Sequence, residues 1–64
     1  DTFNLVIQIN GKVRDKVLAD ATIDENQAKE IALSRDNISK YIDGKSIRRS
    51  IYIPKKLINI VVEG

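Results

Sequence analysis

The 64-residue sequence has no cysteine, histidine, methionine or tryptophan, and only one proline. Without cysteine there is no disulfide framework and no thiolate metal site. Without histidine the commonest general base and metal ligand is gone, so serine or threonine nucleophiles have no imidazole to activate them. No apolar run approaches the roughly 18 residues of a membrane span, and no leader-like segment opens the chain. The three glycines stand apart, without the spacing of a phosphate-binding loop. With no initiator methionine and a strand-like run starting just after Asp1, the chain reads as a piece of a longer protein. Its length allows one small domain, residues 1–64, with a compact core but no deep cleft. These absences point to a monomeric, non-catalytic binding module that carries no metal or cofactor of its own.

What is present is globular in character: 42% hydrophobic and 31% charged residues. The net charge of +2 divides unevenly, as +1 over residues 1–18, −3 over 19–43 and +4 over 44–64. An acidic middle between basic ends suits a domain with one surface for an anionic partner and another for solvent.

Phe3, Leu5, Ile7 and Ile9 alternate with Asn4, Val6 and Gln8, the period-two pattern of a half-buried strand. Asn10-Gly11 is a strong hairpin signal, and a second strand follows over about Lys12 to Leu18. A two-residue turn would set Ile7 against Arg14. Side-chain parity therefore predicts a three-residue loop, Ile9 to Gly11, with a bulge at Gly11 that pairs Ile7 with Val13 and Phe3 with Val17. That register turns Asp15 inward, where it needs an edge position or a partner.

Asp24 and Gln27 have capping-box spacing, Ile23 sits at the staple position, and Ala28, Ile31 and Ala32 form one helical stripe. Ser34, Asp36 and Asn37 interrupt the stripe, which resumes at Ile38, Tyr41 and Ile42 and stops at Gly44. Alternation returns over Ser46 to Ile53, predicting Ile47, Ile51 and Ile53 inward, Arg48, Ser50 and Tyr52 outward, and Arg49 at the sheet margin. A two-residue Pro54-Lys55 turn would pair Ile51 with Ile58 and Ile47 with Val62. The expected architecture is α+β: ββααββ, a four-stranded, mainly antiparallel sheet in the order 2-1-4-3, with two short helices on one face.

The chemistry-bearing residues are cations. Arg14 and Lys16 are expected on one face of the second strand, Arg48 likewise on the third, and Lys12, Lys55 and Lys56 at hairpin ends. Such residues make phosphate contacts, and with Tyr52 as the one exposed aromatic they suit folded RNA better than unstacked bases. Basic residues also shield sheet edges from aggregation, and from the residues alone both readings stand. The acids Asp24, Glu25 and Glu30 complement a helix dipole.

The blocks Val6 to Arg14 (VIQINGKVR), Lys40 to Gly44 (KYIDG), Ile51 to Pro54 (IYIP) and Leu57 to Val62 (LINIVV) keep one order and near-equal spacing across almost the entire chain. In this they resemble the C-terminal domain of bacterial-type leucyl-tRNA synthetases. The resemblance implies a cytoplasmic tRNA-binding appendage that touches the elbow and long-variable-arm region of leucine tRNA. The remainder of the synthetase, with ATP and magnesium, would perform aminoacylation. It implies RNA contacts at Lys12, Arg14 and Lys56; Lys16, Arg48 and Lys55 complete the candidate set. Lys55 stands where that family usually has glycine, and Asp15 where a small residue is common. A ubiquitin-like protein-docking module and a purely structural appendage are the alternatives.

Overall fold

The computed structural model describes residues 1–63. Its elements are β1 (Thr2–Ile9), β2 (Lys12–Asp20), α1 (Glu25–Ser34), α2 (Asp36–Ile42), β3 (Ser46–Ile53) and β4 (Leu57–Glu63). The strands form one sheet in the order β2-β1-β4-β3. The outer pairs are antiparallel and the central β1–β4 pair is parallel. The expected α+β class, element order and strand order all hold.

The two most apolar strands lie in the middle because only there do both flanks shield their backbones. Leu5, Ile7 and Ile9 of β1 and Ile58, Ile60 and Val62 of β4 meet Ala28 and Ala32 of α1 and Ile38 of α2 in the core. Alanines at α1's contact positions let the helix sit close to the sheet. Asp24 caps α1 reciprocally: its carboxylate accepts from the Gln27 N–H at 2.8 Å, and its own N–H donates to Gln27 Oε1 at 3.0 Å. The expected helix interruption falls at Arg35, whose extended backbone (φ −79°, ψ 132°) ends α1 and opens α2. After α2 the backbone turns through Gly44 at φ +77°, the left-handed C′ position that glycine takes without strain.

Both hairpins depart from the expected register. Asn10 (φ 52°) and Gly11 (φ 85°) form a two-residue, type I′-like turn, so Ile9 pairs with Lys12. The extra residue enters inside the strand: Gln8 faces Val13 and Ile7 faces Asp15, leaving Arg14 as the bulge. Leu5 therefore faces Val17, and Phe3 faces Ala19. A primed turn matches strand twist, so the parity conflict is resolved two residues beyond it.

The second hairpin has a three-residue loop, Pro54 to Lys56, with Ile53 paired to Leu57. The Lys56 N–H donates to the Ile53 carbonyl at 3.0 Å, and Lys55 sits at φ 63°. This is a type II pattern with proline at its second position and lysine where glycine is favoured. A bulge at Arg48 preserves the expected Ile47–Val62 pair, but Tyr52 rather than Ile51 faces Ile58. Ser50 and Tyr52 thus turn toward the helices, whereas Ile51 and Ile53 lie on the open face, 40% and 43% exposed. Arg49 pairs with Val61 on that open face, so it does not have to reach from the inward set to the sheet margin.

Candidate nucleic-acid interface

Lys12, Arg14 and Lys16 lie along β2, a free edge of the sheet. The tip of the β1–β2 hairpin is locked to β4 by two asparagines. Asn59 Oδ1 accepts from the Gly11 N–H, and Asn10 Oδ1 accepts from the Val62 N–H, each at 2.9 Å. These bonds fix the place from which Lys12 projects.

The β2 bulge changes what the sequence spacing implied about faces. Lys16 pairs with Val6 and points to the open face. Arg14 instead reaches the helical side, its guanidinium lying over the Tyr41 ring at 4.5 Å and donating to Tyr41 Oη at 3.4 Å. Arg14 and Lys16 therefore do not share a face; the edge itself presents both. Tyr52 is not the exposed aromatic either, because it packs against the core with its hydroxyl donating to the Ile23 carbonyl at 3.5 Å. Tyr41, read from the sequence as part of the core stripe, is 37% exposed and takes that place.

Asp15 has found its partner. Its Oδ2 accepts from Arg35 Nε at 2.8 Å, and its Oδ1 accepts from the Lys16 N–H at 2.8 Å. The carboxyl is held below its ordinary pKa of 3.8 chiefly by the Arg35 bond and then by the Lys16 N–H. Asp15, Ser34, Arg35, Asp36 and Asn37 line a hollow of about 340 Å³ beside this pair. Arg35 carried no signal in the sequence as a partner, because 20 residues separate it from Asp15 and only the β2-to-helix packing joins them.

The remaining cations lie elsewhere. Arg48 belongs to the opposite edge strand and pairs with Glu63 at 3.1 Å, both side chains well exposed. Lys55 and Lys56 occupy the β3–β4 turn, where the Lys56 carbonyl accepts from the Val6 N–H at 3.1 Å. Lys16 and Lys56 thus flank Val6 from opposite sides. The six candidates form no single patch: three follow the β2 edge, two sit at a turn, and one lies on the far edge.

Among the described residues no group of three or more acidic side chains could hold a metal ion, and no helix is long and apolar enough to cross a membrane. No protein-family model matches the chain. A leucine–tRNA ligase of Rubrobacter xylanophilus is 45% identical over 62 residues, covering 97% of this chain and 8% of the ligase. One from Brachyspira hyodysenteriae is 49% identical over 63 residues, 98% of this chain and 7% of the ligase. One from Syntrophus aciditrophicus is 44% identical over all 64 residues and 7% of its own length. The chain thus spans less than a tenth of the curated relatives it matches. A crystal structure of the Agrobacterium radiobacter K84 AgnB2 leucyl-tRNA synthetase, in a ternary complex with tRNA and LeuAMS, contains the same fold. The match has a TM-score of 0.93 at 22% identity and covers 98% of this chain and 8% of that one. From end to end the chain is similar to a segment of the leucyl-tRNA synthetases, the family whose C-terminal domain its motifs resemble.

Proposed function

We propose that this domain is a tRNA-binding appendage of a cytoplasmic leucyl-tRNA synthetase. On this reading it touches the elbow and long-variable-arm region of leucine tRNA, while ATP- and magnesium-dependent aminoacylation takes place elsewhere in the enzyme. The observation that carries the reading is the whole-length similarity to leucine–tRNA ligases. The free β2 edge supplies the chemistry: Lys12, Arg14 and Lys16 stand along it at alternate positions, so a phosphate backbone following the edge meets all three. Lys55 and Lys56 add positive charge at the β3–β4 turn, across β1 from that edge. These cations suit contacts to phosphates and recognition of folded RNA by shape.

The test uses the full synthetase that carries this segment. Replacing Lys12 and Arg14 together with alanine is expected to weaken leucine-tRNA binding and charging while leaving leucine-dependent ATP–pyrophosphate exchange intact. With about four phosphate contacts, tRNA affinity should fall with salt along a log–log slope of roughly −3 to −4. Unchanged tRNA affinity, or a lost exchange reaction, overturns the reading.

One observation favours a second reading. The open sheet face carries Val13 and Leu18, 56% and 64% exposed, together with Ile51 and Ile53, an apolar surface suited to docking protein. A protein-docking or purely structural appendage predicts an affinity for tRNA that the Lys12 and Arg14 replacements leave alone.

A further inference from the structure

The geometry points to Tyr41 as a positioning residue for Arg14, holding its guanidinium at the β2 edge as a ready-made fork for one RNA phosphate. The inference rests on the tRNA-binding reading and deepens it at one side chain. An arginine on an exposed strand ordinarily samples many rotamers, and fixing it on a ligand costs entropy. Here three features restrict it beforehand. The bulge leaves Arg14 opposite no residue of β1, so its side chain is released from the alternation that sends Lys16 to the open face. The next residue, Asp15, is tied to Arg35 at 2.8 Å at the break between the helices, which fixes the backbone on the bulge's C-terminal side. The Tyr41 ring then lies under the guanidinium at 4.5 Å, and its hydroxyl accepts from Arg14 Nη1 at 3.4 Å.

A guanidinium covered on one face by an aromatic ring still directs its remaining N–H groups outward in its plane, the arrangement that binds a phosphate through two parallel bonds. Tyr41 stays 37% exposed, so the pair is accessible. Lysine at position 14 would keep the charge but lose the fork.

The test measures binding of a leucine-tRNA transcript by the full synthetase that carries this segment, at low salt, in a double-mutant cycle. Tyr41→Ala should weaken binding about two- to fivefold, the range of an exposed cation–π contact. Tyr41→Phe keeps the ring and should stay within about twofold of the parent. In an Arg14→Ala background, Tyr41→Ala should have no further effect, since the ring acts only through the guanidinium. In NMR spectra of the 64-residue chain without RNA, the Arg14 δ-protons should show an upfield ring-current shift that Tyr41→Ala removes and Tyr41→Phe retains. Arg14→Ala weakening binding while Tyr41→Ala does not would overturn the positioning role and leave the tRNA reading standing. Equal effects of Tyr41→Ala with and without Arg14 would also overturn it. Unchanged tRNA affinity on Arg14→Ala itself would overturn both.

Discussion

At the scale of single residues, Asp15 shows how an inward-facing charge is made tolerable. Its side chain is only 10% exposed and its partner Arg35 is 42% exposed, so the pair straddles the boundary of the core. Because Arg35 lowers the folded-state pKa of Asp15 below 3.8, its stabilisation is complete above that value and is lost as pH falls through the lowered one. Asp20 adds a contribution of the same sign, its carboxylate accepting from the Thr22 N–H and hydroxyl. Asp15→Asn should therefore lower the urea midpoint at pH 7, with a gap from the parent that narrows as the solution is acidified to about pH 2.5. A gap independent of pH would show that packing, not charge, holds this site.

At the scale of elements, the two bulges decide which side chains are core. Tyr52→Ala should cost about 2 kcal/mol, because the ring packs on the core beside Ile58. Ile51→Thr should change stability by less than about 0.5 kcal/mol. Urea melts of the two variants check this, and the reverse order would restore the unbulged register. The helical layer was legible in the sequence: Asp24, Gln27, Ala28, Ala32 and Gly44 act where their spacing placed them, because capping and stripe signals are local. The strand order was legible too, since the apolar density of Leu5 to Ile9 and Ile58 to Val62 marks central strands. Strand faces were legible on β1 and β4 but not near the turns of the edge strands. Parity arguments count residues from a turn, and both loops differ by one residue from the expected length, so Val13, Ile51 and Tyr52 face the other way until one bulged arginine in each edge strand brings the count back into phase at Asp15 and Ile47. For the interface the cost was concrete, since Arg14 was matched with Lys16 and its actual neighbour, Tyr41, was assigned to the core.

At the scale of the whole molecule, little material does the stabilising. Folded domains of this size are held by roughly 3–10 kcal/mol. Ile38 is the buried residue of α2, and it is fully enclosed. Ile38→Ala should cost about 2–5 kcal/mol and lower the thermal midpoint by about 10 °C or more, whereas Leu18→Ser on the open face should barely move it. Calorimetry on both variants makes the comparison. The cations are spread over a body with extents of 36 × 19 × 17 Å, so at physiological salt the two edges act nearly independently. The parallel pairing of Val6–Ile9 with Leu57–Ile60 governs the order of assembly. The first hairpin can form as soon as residues 2–20 exist, but the inner edge of β1 stays unpaired until a strand some 50 positions later slots in beside it. During synthesis the hairpin must wait while the helices and β3 are made. Closing so long a loop makes the final step slow and cooperative. A chain cut before Leu57 would lose Ile58, Ile60 and Val62 from the middle of the core rather than one margin of the sheet, leaving a hairpin whose unpaired β1 edge invites the pairing that the bulged edges of the finished domain discourage.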